Sequence, residues 1–423
     1  MTTNNAKNMN NQLSPSDGAI VFIGTVNAMP MMYALEFRKL GFDVIYYVDV
    51  PASLTLHRPE NHFPSISYPY PDWIVEAFVY PRVLAPLFPR LTMWYLLYKG
   101  RKALRGRRVQ AVIMDGVYVA MASVVGNRIT KIFLSFGDDL GRWTNVKFSE
   151  NIYKDMGKRL SLRFLPNALR LNIIRWIICK NFIGAKNCRT LVCFPKGISG
   201  RGDVMADKLT NFGTEVLRRY DVSPAILEGI PNSPKAITDV SSSSRIIIIN
   251  PARNYFVNKS NSPSFEGKGN DIAIIGFAKF VKMHRNSELH LFKKGPDTYA
   301  AQQLINSLNI QNMVVWHEEM PCRDLLELYV ECDICFDQVG THWLSAVGIY
   351  AMLLGRPLIA NVNNLYPILG DDIPIMNAST PDAVYAALCR LSDPTLRQEL
   401  ADKAKVFAEN NFYPAKLIGQ IVK

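Results

Sequence analysis

The sequence lacks several features that would define its compartment directly. No stretch is apolar and uncharged over the about 18–20 residues of a membrane-spanning helix. The best candidate, Leu169 to Ala185, is interrupted by Arg170, Arg175 and Lys180. Residues 1–16 are Asn-rich without the basic start and apolar run of a signal peptide, which predicts a disordered tail. The seven cysteines show no framework spacing, which favours reduced thiols in the cytoplasm.

Metal-binding patterns are also scarce. The chain contains no Asp-x-Asp triplet, so we do not expect a divalent cation bound by that motif. Cys332 and Cys335 form a Cys-x-x-Cys, but no second pair stands at metal-ligand spacing. Both cysteines fall in a strand pattern, for which a buried structural role is the better interpretation. We therefore expect no metal in the functional site.

Basic residues outnumber acidic residues in one half of the chain only. Residues 1–240 contain 31 Lys and Arg against 18 Asp and Glu, whereas residues 241–423 contain 17 against 18. The excess of Lys and Arg over Asp and Glu is concentrated in two stretches, Trp94–Arg108 and Lys158–Arg189, where aromatic and aliphatic residues stand among the cations. This pattern favours a helix at an anionic membrane surface over a solvated basic face, and both over nucleic acid, for which no module is visible.

Strand and helix patterns alternate in the N-terminal half. The apolar run Ala19–Gly24 is followed by a loop, a helical stretch Met31–Leu40 and a β-branched, aromatic stretch Phe42–Val50. That order is typical of a βαβ unit. Further strands are predicted at Val109–Met114 and Lys131–Phe136, each ending in a small or acidic cluster. Because ligands bind at the carboxyl ends of parallel strands, these clusters lie where sites form.

The alternation restarts after a polar linker. Residues 232–244 contain a proline and four consecutive serines, and we place the domain boundary there. The strands predicted beyond it are Arg245–Asn250, Glu288–Phe292, Met313–Trp316, Asp333–Phe336 and Leu358–Asn361. The sequence thus predicts an α/β protein with two Rossmann-like doubly wound domains, 17–235 and 241–405, facing a central cleft. A C-terminal helix, 406–423, can cross back to the first domain.

A phosphate-binding pattern follows the first strand of the second domain. Arg253 comes shortly after that strand, and the segment Gly267–Asn270 directly precedes a helix. A helix N-terminus presents unpaired N–H groups and the positive end of its dipole to an anion. Lys268 and Arg253 would add charge, so the group can hold a diphosphate and stabilise it as a leaving group. The alternative is an ordinary loop with surface cations.

Several segments of the second half resemble one enzyme family. They are Lys268–Asp271, Gly295–Asp297, Val314–Pro321, Asp337-Gln338 and Gly355–Asn361. In this order and spacing they resemble the donor domain of family 4 retaining glycosyltransferases, whereas the N-terminal half resembles that family only weakly. The resemblance implies the GT-B fold, a nucleotide-diphosphate-sugar donor, no metal and a retaining reaction. It implies that Arg253 and Lys268 contact the diphosphate and that His317–Met320 lies beside the base.

One departure from the family concerns its paired glutamates. Tyr350 occupies the position of the second glutamate, and His342 precedes it by eight residues, where the first would stand. The family glutamate accepts hydrogen bonds from ribose hydroxyls, whereas a phenol both donates and accepts. Binding can survive in altered form, or the site can be lost. The donor-binding candidates are Gly267, Gly269, Asn270, His317, Glu318, Glu319, Met320, Asp337, Gln338, His342 and Tyr350.

Candidates on the acceptor side come from the N-terminal half. Asn27 lies in the first strand–helix loop, and His57 and Arg58 lie in the loop after the second strand. Asp138 and Asp139 are similar to a Gly-Ser-Asp-Leu loop of related enzymes, with Asp138 in the serine position. The resemblance implies that Asp139 lies near the acceptor or the sugar. With Lys268 and Arg253, Asp139 completes the predicted catalytic set.

These observations predict a metal-independent glycosyltransferase without a cofactor, using a UDP- or GDP-sugar as donor substrate. Its expected acceptor is a lipid-linked saccharide or polysaccharide in bacterial surface glycan synthesis. The expected location is cytoplasmic and peripheral, on the inner face of an anionic membrane. Because Tyr350 replaces the glutamate, a non-catalytic GT-B partner subunit or glycan-binding protein is the alternative. A basic nucleic-acid-binding protein is the third hypothesis.

Overall fold

The computed structural model describes residues 12–79, 82, 85–137, 139–145, 165–219, 221, 224–228, 230, 245–257, 267–341 and 343–423. Several predicted features lie outside these residues: most of the tail, the linker 232–244, the start of the second basic stretch, Asp138 and His342. The chain divides into two compact units. Unit 1 comprises Met1–Ala225 and Pro414–Lys423, and unit 2 comprises Ile226–Tyr413.

Unit 1 contains a parallel sheet of seven strands in the order β3-β2-β1-β4-β5-β6-β7. Its strands are β1 Ala19–Ile23, β2 Val44–Val48, β3 Ile74–Glu76, β4 Val109–Asp115, β5 Thr130–Leu134, β6 Thr190–Cys193 and β7 Glu215–Arg218. All five residues of β1 are buried, as expected for an apolar strand covered on both faces. The strand order reverses between β1 and β4, so the carboxyl ends of these strands form the topological switch point.

Helices cover the sheet of unit 1 on both faces. They are α1 Pro30–Lys39, α2 Pro89–Leu104, α3 Asp139–Trp143, α4 Asn167–Lys186, α5 Gly200–Thr210 and the C-terminal helix Ala415–Val422. Because parallel crossovers are right-handed, α1, which runs from β1 towards the β3 edge, lies on the opposite face to α2 and α4. The segment Gly116–Ser123 forms a 3₁₀ helix within the core on the α2 side.

Unit 2 repeats the architecture with a six-stranded parallel sheet in the order β10-β9-β8-β11-β12-β13. Its strands are β8 Ile246–Asn250, β9 Ser287–Phe292, β10 Val314–His317, β11 Ile334–Phe336, β12 Leu358–Ala360 and β13 Met376–Asn377. The switch point lies between β8 and β11. The predicted α/β fold of two doubly wound domains is therefore confirmed.

The helices of unit 2 follow its strands in sequence. They are α6 Asn270–Phe280, α7 Thr298–Ser307, α8 Cys322–Glu331, α9 Ala346–Leu353, α10 Tyr366–Leu369, α11 Pro381–Arg390 and α12 Pro394–Asn411. Helices α6 and α11 pack closely because Gly276 has no side chain, and a Cβ there would meet Val384 Cγ1 at 2.4 Å. This contact fixes α6, whose N-terminus faces the candidate site, to the core.

The C-terminal helix α13, Ala415–Val422, belongs to unit 1 and packs against α1. Val422 O accepts a hydrogen bond from Leu13 N at 3.1 Å, which joins the two ends of the chain. Leu417 and Ile418 are fully buried, since α13 is apolar along one side. In the described part of the chain, no helix has the length and apolar character needed to span a bilayer.

Candidate functional site

The carboxyl end of β8 in unit 2 is joined to the start of α6 by one buried side chain. Asn270, fully buried, donates from Nδ2 to Ala252 O at 3.1 Å and accepts from Tyr255 N at 3.3 Å. Lys268 N donates to Tyr255 O at 2.8 Å. These bonds fix the loop after β8 beside the turn that begins α6. The structure thus brings together the two segments that the sequence predicted as a phosphate site.

Two glycines make the turn before α6 possible. Gly269 has φ 73°, in the left-handed region, and a Cβ on it would lie 2.4 Å from Gly340 N. A Cβ on Gly340 would in turn meet Gly267 O at 2.7 Å. The turn at α6 and the loop after β11 therefore touch backbone to backbone, and both positions require glycine.

Lys268 crosses from the first of these loops to the second. Its Nζ donates to Gln338 Oε1 at 2.5 Å and lies 5.7 Å from the centre of the Trp343 ring. Its carbonyl accepts from Val339 N and Gly340 N, each at 3.2 Å. The backbone of Lys268 therefore organises the loop, while its ammonium group supplies a positive charge at the N-terminus of α6.

Gln338 is buried, with 2% of its surface exposed. Its Oε1 accepts from Lys268 Nζ and from Thr341 Oγ1, at 3.2 Å for the latter. Its Nε2 has no hydrogen-bond partner among the described residues. A buried N–H group without a partner is costly, so this donor is available for an acceptor atom at the site.

Asp337 serves the protein interior. It is 1% exposed, and its oxygens accept from Ser345 N and Ser345 Oγ, each at 2.6 Å. A Cβ at Gly348 would meet Asp337 Oδ2 at 2.5 Å, so the carboxylate lies directly against α9. Burial raises the pKa of Asp337, whereas the bonds from Ser345 lower it. Its observed contacts are with Ser345, which directly precedes α9, and a direct contact with sugar or ribose stays a prediction.

Arg253 is exposed, and its guanidinium lies 5.7 Å from the centre of the Tyr255 ring. No ion pair involves it among the described residues. Asn254, the next residue, is buried and donates from Nδ2 to Phe292 O at 2.8 Å, which fixes the loop to β9. An exposed, positively charged side chain on a loop fixed by backbone contacts is suited to binding an anionic ligand.

His317 ends β10 and pairs with a second histidine. Its Nε2 lies 2.9 Å from His290 Nδ1 on the adjacent strand, and its ring stacks on Phe292 with centroids 5.1 Å apart. Burial lowers the pKa of both histidines, and for His290 the charge of its partner lowers it further. The pair is therefore neutral at neutral pH, and one ring nitrogen carries the shared hydrogen.

The segment after β10 is held by surface ion pairs. Glu318 pairs with Lys293 at 2.5 Å, and Glu319 pairs with Lys294 at 2.8 Å. Both glutamates are largely exposed, and Met320 is half-buried. These pairs fix the loop next to the end of β9, where the resemblance implies the base of the nucleotide.

Tyr350 is buried within α9, with 5% of its surface exposed. Burial raises its pKa well above 10, with a smaller contribution from Cys322 at the start of α8. The phenol is therefore neutral. A neutral hydroxyl stands where the family has a carboxylate, whereas His342 lies outside the described residues.

Unit 1 carries its own polar group at the switch point. Asn27 and Ala28 have φ of 52° and 55°, an uncommon conformation for residues other than glycine. Asn27 N donates to His57 Nδ1 at 2.9 Å, and that nitrogen lies 3.1 Å from Thr25 O. Burial and the charge of Arg82 lower the pKa of His57. The structure thus brings together the two acceptor-side candidates Asn27 and His57.

A buried network that sequence reasoning missed supports this turn. Asp49 accepts from Thr25 Oγ1 at 2.5 Å, from Tyr118 Oη at 2.7 Å and from Arg82 Nε at 2.5 Å. Val26 N donates to Asp115 Oδ2 at 2.8 Å. The only available signal was Asp49 at the end of a strand pattern, since Arg82 is distant in sequence.

Two further acceptor-side candidates have structural roles. Arg58 is 2% exposed and pairs with Glu60 at 2.6 Å and Glu76 at 3.0 Å. Its guanidinium pairs with carboxylates of unit 1, and acceptor binding by Arg58 stays a prediction. Asp139 Oδ1 accepts from Ser135 Oγ and from Leu140 N, so the carboxylate caps α3 at the end of β5.

Comparison with solved structures decides the fold. A glycosyltransferase from Rickettsia africae matches with a TM-score of 0.56 and 13% identity, over 96% of this chain and 98% of that one. HepE from Anabaena, solved with UDP-glucose, matches with a TM-score of 0.54 and 12% identity, over 96% and 98%. Sucrose-phosphate synthase from Thermosynechococcus elongatus matches with 0.51 and 12%, over 95% and 98%. The fold is GT-B.

No protein-family profile matches the sequence, and no curated sequence matches it either. At 12–13% identity the structural likeness shows the GT-B fold alone. In the described parts of both units, no cluster of three His, Cys, Asp or Glu side chains could hold a metal ion. Cys332 and Cys335 are fully buried in unit 2, with their sulfur atoms 3.3 Å apart.

Proposed function

We propose that the protein is a glycosyltransferase that takes its sugar from a nucleotide-diphosphate donor bound by unit 2. The observation that carries the proposal is the turn Gly267–Asn270. Two backbone contacts fix it, Lys268 lies on it, and the N-terminus of an eleven-residue helix follows. Exposed Arg253 and the unpartnered Nε2 of Gln338 complete a set of donors for an anion.

Such a site favours the transition state over the ground state. As the bond from the anomeric carbon to the phosphate oxygen breaks, the electron pair passes to the diphosphate, which gains negative charge. Lys268, Arg253 and the N–H groups of α6 would stabilise that charge without a protein proton donor. Because cationic side chains supply the countercharge, we propose a metal-independent reaction that needs no cofactor. Retention is proposed from the family resemblance.

The nature of the donor is supported by the neighbours. HepE, a structural neighbour of this chain, has been solved with UDP-glucose and with UDP. We propose a UDP- or GDP-sugar for this chain, with the His317–Met320 segment beside the base and Tyr350 near the ribose. The phenol can donate a hydrogen bond to a ribose oxygen and accept one from a hydroxyl.

We further propose that the acceptor is a lipid-linked saccharide or a polysaccharide of a bacterial surface glycan, bound by unit 1. Asn27 and His57 form a fixed polar turn at its switch point, and Asp139 lies at the end of β5 in the same sheet. Neutral His57, whose Nδ1 already accepts from Asn27, presents Nε2–H as a donor. The protein would act in the cytoplasm, peripherally on the inner face of the membrane.

The test is the melting temperature of the full chain with UDP, GDP, ADP or CMP. A nucleotide that binds the folded state raises that temperature. We expect a rise with UDP or GDP that is lost in Lys268→Met. Lys282→Met is the matched control, since this exposed lysine follows the far end of α6, about 16 Å along the helix at 1.5 Å per residue.

Three outcomes would contradict the proposal. No rise with any nucleotide would leave the site empty and favour the non-catalytic GT-B subunit or glycan-binding protein, the alternative motivated by Tyr350. An equal loss of the rise in Lys268→Met and Lys282→Met would point to general destabilisation. Salt-sensitive binding of DNA or RNA with no nucleotide effect would favour the nucleic-acid hypothesis.

A further inference from the structure

A stretch of unit 1 contains cations without acids. Between Glu76 and Asp115 the chain has eight Lys and Arg and no Asp or Glu. Three of the eight, Arg82, Arg105 and Arg107, pair with carboxylates from elsewhere in unit 1. The other five have no carboxylate partner among the described residues: Arg90, Lys99, Arg101, Lys102 and Arg108. Four of these five lie in or beside the exposed side of α2.

The outward face of α2 begins with apolar residues and ends with cations. Leu91, Trp94 and Tyr98 are 62%, 63% and 50% exposed, and they recur at helical spacing with Arg101 and Arg105. This stripe lies opposite the buried stripe of the same helix, because the two are half a turn apart. Trp94 and Tyr98 stack with centroids 5.8 Å apart, and Arg101 lies 3.9 Å above the Tyr98 ring.

Helix α4 presents a second stripe of the same kind. Leu169, Trp176 and Ile183 stand seven residues apart and are each about half exposed, at 47%, 47% and 46%. Lys180 Nζ lies 5.7 Å from the Trp176 ring, and no acid occurs anywhere in the helix. Seven-residue spacing places these side chains on one face of the helix.

Both helices are fixed to the same side of the sheet. Gly184 of α4 lies so close to the 3₁₀ helix Gly116–Ser123 that a Cβ would meet Val119 O at 2.1 Å. Helix α2 packs against the same 3₁₀ helix. Gly100 of α2 touches Tyr47, whose hydroxyl donates to Leu96 O at 2.7 Å. The outward stripes therefore lie on the same side of the sheet of unit 1.

We propose that this face, defined by the outward stripes of α2 and α4, binds an anionic lipid bilayer. Exposed tryptophan and tyrosine beside leucine are suited to the boundary between headgroups and acyl chains. The unpaired cations are suited to anionic headgroups, which supply the missing countercharges. A nucleic acid would neutralise the cations but leave Leu91 and Trp94 in water. The inference extends the proposed function by naming the surface through which a lipid-linked acceptor is reached.

The test uses sedimentation of the full chain with phosphatidylcholine vesicles, with and without phosphatidylglycerol. We expect binding only to the vesicles that contain phosphatidylglycerol. Lys99→Gln combined with Lys102→Gln is expected to weaken the partition coefficient by about 25-fold, at about fivefold per cation. Trp94→Ser combined with Tyr98→Ser is expected to abolish measurable binding. The matched control, Lys282→Gln with Met283→Ser, changes equally exposed residues of unit 2.

Unaltered melting temperatures would show that the variants are folded. Equal binding to both vesicle types, no binding to either, or unchanged binding of both α2 variants would overturn the proposal. Salt-sensitive binding to DNA that depends on the same lysines, without vesicle binding, would also overturn it. The assay requires no turnover, so its failure is distinguishable from failure of the nucleotide shift in unit 2.

Discussion

Both units are doubly wound parallel sheets, but the residues at the carboxyl ends of their strands differ in their contacts. In unit 1 the polar side chains at the ends of β1 and β2 satisfy one another: Asp49, Arg82 and Thr25 form a closed, buried network. In unit 2 the ends of β8 and β11 hold glycine turns, an exposed Arg253 and an unpartnered Gln338 Nε2. The comparison teaches that a doubly wound sheet determines where a site lies. Charged groups and hydrogen-bond donors that have no partner within the unit indicate what ligand the site binds.

The largest effect that separates the units is expected at Gly269. Gly269→Ala places a Cβ 2.4 Å from Gly340 N at a φ of 73°, so the two loops must separate. We expect a loss of at least about 3 kcal/mol in the free energy of unfolding, and loss of nucleotide binding. Gly355→Ala is the control, because its φ is 64° but its surroundings are open. Gly355→Ala should lower the free energy of unfolding by about 1 kcal/mol. Urea denaturation measures both, and equal costs would contradict the backbone contact.

The next effect concerns the closed network of unit 1. Asp49→Asn removes the buried carboxylate that pairs with Arg82, whose side chain is 21% exposed, and is expected to cost about 3 kcal/mol in the free energy of unfolding. Arg105→Met, which breaks the exposed pair with Asp72, should cost less than about 1 kcal/mol. Nucleotide-induced melting shifts should persist in Asp49→Asn, since the nucleotide is assigned to unit 2. A lost shift with a stable fold would show that this network takes part in donor binding.

A smaller effect tests the residue that departs from the family. Tyr350→Phe keeps the buried ring and removes the hydroxyl. If that hydroxyl contacts the ribose, nucleotide affinity should fall about three- to tenfold, the equivalent of one hydrogen bond. Calorimetric titration of wild type and Tyr350→Phe measures the change. Tyr329→Phe, another buried tyrosine of unit 2, is the control. Identical affinities for wild type and Tyr350→Phe would remove the phenol from the site.

The smallest effect is a pH dependence in unit 2. The pKa of His290 and of His317 is lowered in the folded protein, so the unfolded chain binds protons first as pH falls. Their neutral pair therefore stabilises the fold above the ordinary histidine pKa of about 6.5, and this contribution is lost below it. His317→Phe should show a shallower decline in unfolding free energy on acidification than wild type. Urea denaturation at a series of pH values measures this decline, and equal declines for wild type and His317→Phe would contradict the prediction.

The sequence predicted unit 2 more completely than unit 1, for physical reasons. Strands such as β8 are short apolar runs between loops, and helical stretches follow them, so the alternation of strand and helix can be recognised in the sequence. In unit 1 the strands β3, β6 and β7 were not predicted, since β3 has three residues and β7 begins and ends with charged ones. Local pattern does not reveal an edge strand whose pairing is set by distant residues.

The sequence predicted which segments form the candidate site, but only some of the contacts that its side chains make. Lys268 and Arg253 follow from strand ends and glycines, which are local signals. The contacts of Asp337 with Ser345, and of Arg58 with Glu60 and Glu76, depend on side chains brought together by the fold. Sequence shows a charge and its place on the chain, but not the partners that the fold gives it.

The most direct test of the central claim compares two ligands in two proteins. The affinities for a nucleoside diphosphate and for its monophosphate, with the base that gives the larger melting shift, are measured in wild type and Lys268→Met. If Lys268 holds the distal phosphate, wild type should prefer the diphosphate by about tenfold or more. That preference should largely vanish in Lys268→Met, while monophosphate affinity changes little. The same preference in both proteins would contradict the assignment of the diphosphate to the turn before α6.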